Sequence, residues 1–437
     1  MDSLPVELLR LVFESCDVQS VKALRLVCQP FAQVGYEYLI PPGFTAVAWR
    51  DDVARLHSIA SHERLRTSIQ SAVFNFAEID EDNGRRASYL QHYFKEPEKR
   101  TAVLTDAWLR YAAFEKRSKA LAPFEDPEQA AVVRDAMSQL PNLSEIQVMF
   151  TRCPFNIDIL RDVFEVPSCR KMDPARACKK LNVIVSAMQL TRVSSFTVDR
   201  LPLELFRMPV DRKAWFESAD TFARLTRLDL TLDTMNSIFP TARSKSINGL
   251  GFVLRQSPNL GHLSLAFHNY GFPRDKFLLQ FQELLLDGFT FGKLTDLRLG
   301  GIGCVEEDLR DFLVRHGTLE RLRLGGRGLA KGYEVALGGI RLCRGTFRSL
   351  FTSLSRRLPN LQRLHMEGDF ESEPLDRSVP ESYNFHPTTD DQWNDVTSTT
   401  TRRVRSGNGK ATTNSLALER FVLEGGTYPG STADDSE

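Results

Sequence analysis

The sequence predicts a mixed α/β fold in which strand–helix units stack along the chain behind three short N-terminal helices. Three observations carry this. The phrase Leu-x-x-Leu-x-Leu, or a close variant, recurs through most of the chain. Between copies, apolar residues fall at helical spacing. The first forty residues carry helical stripes and no such phrase. One strand and one helix cannot bury their apolar faces alone, whereas stacked copies can, so the reading is an α/β solenoid.

The clearest unit is Leu294-x-x-Leu297-x-Leu299, followed by Gly300-Gly301, a helical segment and Leu319-x-x-Leu322-x-Leu324. Within each phrase the last two leucines alternate and so share one face of a strand. Leu309, Phe312 and Leu313 lie at i, i+3 and i+4, one stripe of a helix. His316-Gly317 is expected to end that helix as a cation in the last turn followed by a capping glycine.

In chain order, Leu4-Pro5-Val6-Glu7 opens a helix with Leu8, Leu9, Val12 and Phe13 at helical spacing. Asp17 caps a second helix bearing Val21, Leu24 and Val27, and Gln29-Pro30 restarts the chain into a third with Phe31, Val34 and Tyr38. Pro41-Pro42-Gly43 is a connector. Phe44–Trp49 and Ile69–Phe76 read as strands, with a helix over Val53, Leu56 and Ala60 between them. Asp80–Gly84 has the look of a calcium loop but lacks the closing glutamate (Gln91 stands there), so a solvated loop is expected. Trp108, Tyr111 and Phe114 form a stripe expected to be core.

Further strand phrases start at Leu143, Val193, Leu225, Leu260, Leu361 and Leu418. Three of them open as Pro-Asn-Leu, at Asn142, Asn259 and Asn360. Start-to-start spacing runs from 25 to 57 residues, so the repeat is irregular. Glu371–Ser415 is rich in Ser, Thr, Asp and Pro and reads as a disordered insertion, and Gly425–Glu437 as an unfolded tail. Within the insertion, Arg402-Arg403-x-Arg405 is a weak basic cluster, read as solvated charge.

Lys+Arg and Asp+Glu are both 56, so no net field favours nucleic acid or an anionic membrane. No apolar run is long enough to span a bilayer, and Glu7 and Arg10 interrupt Met1–Phe13, unlike a signal peptide. Seven cysteines without a C-x-x-C pair suit a reducing compartment, which places the protein in the cytoplasm, the nucleus or both. The glycines of Gly325–Gly332 lack a phosphate-loop lysine, and no nucleophile elbow or metal-ligand spacing occurs. No enzyme activity and no cofactor are expected.

The segment L-P-x-E-L-L-x-x-V-F followed by D-V-Q-S-V-x-x-L-R-L-V-C-x-x-F, residues 3–39, resembles the F-box of a large fungal family of F-box/leucine-rich-repeat proteins. Cys16, Val21 and Phe31 stand where that family usually has leucine or tryptophan. The resemblance implies an F-box over 1–40, an irregular leucine-rich-repeat-like α/β solenoid over 44–425, a disordered insertion at 371–415 and a disordered tail at 426–437. It also implies docking of Leu4, Pro5, Leu8, Leu9, Val12, Val21, Leu24, Val27, Cys28 and Phe31 on the Skp-type adaptor of a cullin–RING ubiquitin ligase. The repeats would then bind a target protein. The alternative is a leucine-rich-repeat scaffold without a ligase. Alternation along the strands puts Arg298, Arg323 and His365 in one basic row, with Asp229 at its other end, on an open sheet face. That row is the expected contact for an acidic or phosphorylated target segment.

Overall fold

A computed structural model describes residues 4–91, 97–121, 124, 126–207, 219–235, 240–268, 276–285, 288–326, 338–373, 382–385, 401–403 and 412–429. The chain is mixed α/β and divides into two compact units, Met1–Val163 with Lys171–Thr197, and Phe164–Arg170 with Val198–Glu437. The helical triplet is therefore not a unit of its own. It belongs with the first strands rather than separating at Pro41–Gly43.

In the first unit the helices Val6–Glu14, Val18–Leu24 and Gln29–Val34 precede three parallel strands, Gly43–Val47, Ser71–Asn75 and Glu145–Met149. Asp17 caps the second helix, its carboxylate accepting from Ser20 N at 2.7 Å. The segment expected as a loop at Asp80–Gly84 instead starts the helix Glu81–Gln91. Asp80 accepts from Asn83 N at 3.0 Å, and a Cβ on Gly84 would lie 2.6 Å from Trp108. Asp at the cap and acids in the first turn are what that sequence offers a helix. Of the stripe expected as core, Trp108 and Tyr111 are buried, whereas Phe114 is only half-buried.

In the second unit Arg227–Asp233, His262–His268, Asp296–Gly300, Arg321–Gly325 and Arg363–Ser372 form a parallel sheet. The leucines of the repeated phrase stand in register, Leu228, Leu263, Leu297, Leu322 and Leu364, all within 1% exposure. Each strand enters the same way: two successive N–H groups donate to one carbonyl of the preceding strand, as Thr295 and Asp296 do to Gly261 O and Glu320 and Arg321 do to Thr295 O. The asparagines of the Pro-Asn-Leu phrases lock the stacking. Asn142 donates to Thr67 O in the first unit at 2.6 Å. Asn259 and Asn360 donate to Ala223 O at 3.4 Å and Gly317 O at 2.8 Å in the second.

A second set of shorter strands accompanies the sheet, and Ile302–Val305 is entered directly through Gly300-Gly301. Phe277–Leu278, Ile302–Val305, Ile340–Arg344 and the end of Arg363–Ser372 pair in parallel in that order. Gly301, Gly325 and Gly368 lie in the left-handed region, with φ of +69°, +84° and +94°. Helices Glu306–Arg315 and Phe347–Leu354 come next, burying Leu309, Phe312, Leu313 and Phe347, Leu350, Phe351, Leu354.

Four expectations are corrected. Leu418-x-x-Phe421-x-Leu423 is not a strand but the helix Ser415–Glu424, because Leu418, Phe421 and Val422 also sit at helical spacing and bury together. His316 is buried rather than a cation: its Nδ1 lies 2.7 Å from Phe312 O and burial pushes its pKa down. Gly317 is not in the left-handed region. The insertion 371–415 is not uniformly unstructured: Ser382–Phe385 pairs antiparallel with Arg363–Ser372, and Tyr383 and Phe385 are buried. Thr401–Arg403 pairs with Thr412–Asn414, while Arg405 lies outside the described residues. In the expected tail, Tyr428 is buried with its hydroxyl 3.0 Å from that of Tyr383, and residues beyond Pro429 lie outside the described residues.

Candidate functional site

Leu9, Phe13, Val21, Phe31 and Val34 form a small closed core for the helical triplet, with Cys16, Leu24, Cys28, Tyr38 and Leu39 packed at its edge. Phe13 anchors it, edge-on to Phe31 at 5.8 Å and stacked on Tyr38 at 5.6 Å. A second apolar set faces outward. Leu4, Val6, Leu8, Leu11, Val12, Val18, Leu26 and Val27 are all exposed, and they are eight of the fourteen large exposed hydrophobics among the described residues. Leu8, Leu11 and Val12 lie at i, i+3 and i+4, a helical stripe distinct from the buried Leu9 and Phe13. Patches of this kind mark contact surfaces, and covering each such side chain is worth about 1.5–3 kcal/mol.

The triplet is fastened both within itself and to the first strand–helix unit. Arg10 makes two bonds of 3.1 Å to the Glu37 carboxylate. Tyr36 carries the Arg25 guanidinium 3.8 Å from its ring centre and that of Arg64, from the first strand–helix unit, at 4.8 Å. Gly35 makes room, since a Cβ there would fall 2.3 Å from Arg25 Cγ.

Of the ten residues expected at an adaptor, Leu4, Pro5, Leu8, Val12 and Val27 are exposed. Leu24 and Cys28 are half-buried, and Leu9, Val21 and Phe31 are core, at 1%, 1% and 3% exposure. Those three hold the triplet together and cannot meet a partner without unfolding it. Val6, Leu11, Val18 and Leu26 are exposed positions that sequence reasoning missed; with both sides of a short helix apolar, spacing alone does not say which faces out.

The basic row forms in register but not on an open face. Asp229, Ser264, Arg298, Arg323 and His365 are consecutive cross-strand neighbours. Arg323, however, keeps only 7% exposure, Ser264 2%, and Arg298 and His365 are half-buried. A guanidinium buried to that degree cannot clamp a target segment, so the row is corrected from a recognition surface to an interior charge ladder. Burial first, then Arg323, Arg298 and Arg363, pushes His365 down to about 4. Burial and Arg298 push His268 to about 4 as well. Two residues earlier along each strand, Asp296 lies 3.1 Å from His262 Nδ1 and 3.4 Å from Arg321 Nε.

This ladder makes stability fall with acid. Both histidines stay neutral in the fold while the unfolded chain protonates them near 6.5. The unfolded state therefore binds more protons below 6.5, and stability is full above that pH and lost as pH falls toward 4. Each contributes on the order of 3 kcal/mol over that window. Urea midpoints at pH 7.5 and 4.5 should differ sharply, and by clearly less in His365→Gln; an unchanged difference in that variant would remove His365 from the account.

A cleft of about 350 Å³ sets Arg310, Arg315 and Arg357 against Asp308 and Asp311 beside Phe281, three cations to two carboxylates. No group of three His, Cys, Asp or Glu side chains among the described residues could hold a metal ion. No described helix is long and apolar enough to cross a membrane. No protein-family model and no curated protein matches the sequence.

Proposed function

We propose that the helical triplet is an F-box and that the chain is the substrate-recognition subunit of an SCF-type cullin–RING ubiquitin ligase. In this reading the triplet docks on the Skp-type adaptor and the leucine-rich-repeat-like solenoid holds a target. The observation that carries it is the outward apolar set on the triplet, present beside a core that is already complete. Such a surface is the cost of an interface kept for a partner rather than a fault of folding. The stacked strand–strand–helix units and the resemblance over 3–39 support the same reading.

The function is proximity and not chemistry on this chain. One end is tied to the ligase and the other to a target, raising the effective concentration of the target's lysines at the ligase. The Arg10–Glu37 and Tyr36 contacts matter here, because a fixed triplet hands the adaptor a fixed direction to the first strand–helix unit.

Co-expression with a Skp-type adaptor and size-exclusion chromatography test this directly. A stable one-to-one complex that also recruits a cullin is the expected result. Elution of the two proteins apart overturns it and leaves the scaffold reading.

A further inference from the structure

A second site lies in the first unit at the C-terminal ends of its parallel strands, the edge where strand-exit loops diverge and ligands bind in open α/β sheets. Trp49 follows Gly43–Val47, Glu78 follows Ser71–Asn75, and Phe155 follows Glu145–Met149. Helix Pro97–Leu121 adds Tyr111, Phe114, Glu115 and Ser118, at i, i+3, i+4 and i+7. The rings pack closely, Trp49 to Phe114 at 4.9 Å and to Phe155 at 5.2 Å, yet Trp49 and Phe114 stay half-exposed.

The polar groups at this aromatic wall are unevenly satisfied. The Tyr111 hydroxyl is committed, accepting from Ile79 N at 2.8 Å and donating to Ile79 O at 2.7 Å. The Trp49 indole, the Ser118 hydroxyl and the Glu78 carboxylate line the cleft beside it. Glu78 has looser charge contacts, Lys180 Nζ at 3.5 Å and Arg176 at 3.7 Å. Arg176 and Lys119 also line the cleft. Lys119 pairs with Glu115 at 3.2 Å from the exposed side of the helix, a contact of little strength in water.

We infer that this cleft binds a lysine side chain of a partner protein. Its methylene stem lies on Trp49 and Phe114, and its ammonium donates to Glu78 within reach of Glu115. The chain already builds this arrangement once for itself: Lys180 Nζ sits 5.0 Å from the centre of the Phe76 ring and beside the same Glu78. The site does not depend on the adaptor reading and stands or falls separately from it.

The test uses the full chain and three capped tripeptides, acetyl-Gly-Lys-Gly-amide and its norleucine and glutamate counterparts, followed by tryptophan fluorescence. The lysine peptide should give a saturable response in the millimolar range, as expected for a single ion pair on an aromatic face. Norleucine should bind at least about fivefold more weakly, and Glu78→Gln should remove that difference. Because Glu78 also faces Lys180, Glu115→Gln and Ser118→Ala serve as second variants, each checked by circular dichroism and each expected to weaken the lysine peptide. Equal binding by norleucine makes the cleft a plain apolar pocket and overturns the inference. Preference for the glutamate peptide would assign the site to Arg176 and Lys119 instead, and no saturable response with any peptide also overturns it.

Discussion

Leu8→Asp combined with Leu11→Asp should abolish adaptor capture and leave folding stability within about 0.5 kcal/mol, because both side chains are exposed at 46% and 61%. Pressed into an interface, each carboxylate would be desolvated without a partner, at a cost of about 3 kcal/mol or more, a hundredfold or greater loss of affinity apiece. Leu9→Asp, one position away, should behave differently: it puts a charge in the triplet's core, so capture and folding of the triplet are lost together. Adjacent leucines thus separate contact from core. Wild-type capture by the Leu8/Leu11 variant, with Leu9→Asp unfolded, would mean the adaptor uses another surface. Substitution is also a cleaner test than deleting 3–39, since deletion would strip Tyr36 from Arg64 and disturb the first strand–helix unit.

The second-unit strands were legible because their phrase combines alternation with a fixed entry, and the Pro-Asn-Leu asparagines reach back to the preceding turn. The same phrase misled at Leu418, where Leu-x-x-Phe followed by Val422 satisfies a helix as well as a strand, and what decided was burial against Arg363–Ser372. Here Glu419 accepts from Arg363 Nε at 3.1 Å and from Leu364 N at 3.0 Å, a helix-to-strand contact no local pattern encodes. The basic row failed for a related reason. Its register follows from alternation, which sequence shows, but its exposure depends on how the sheet is covered, which sequence does not. At the triplet, five of ten expected contacts are exposed, because in three such short helices the residues that fill the core and those that face outward are chemically alike. Tyr383, Phe385 and Tyr428 were hidden by the polar composition around them, where three buried rings weigh little in an average.

Two glycines that look alike in the sequence should respond in opposite ways to alanine. Gly301 bends one strand into the next at φ +69°, and a Cβ there would fall 1.9 Å from Phe267 O. The added methyl meets a backbone carbonyl already fixed in the sheet, so neither partner can step aside cheaply. Left-handed backbone costs an L-residue about 1–2 kcal/mol, and overpacking adds about 1–3 kcal/mol. Gly301→Ala should therefore destabilise the second unit by on the order of 3 kcal/mol. Gly317 follows the helix Glu306–Arg315, has no left-handed φ, and has nothing within 4 Å of where its Cβ would lie. There alanine only restricts the unfolded chain, and Gly317→Ala should be neutral or stabilising by about 0.4–1 kcal/mol. Urea unfolding followed by circular dichroism measures both. If Gly301→Ala proved no more damaging than Gly317→Ala, the bend would not need the left-handed glycine, and Gly301 would lose its structural reason.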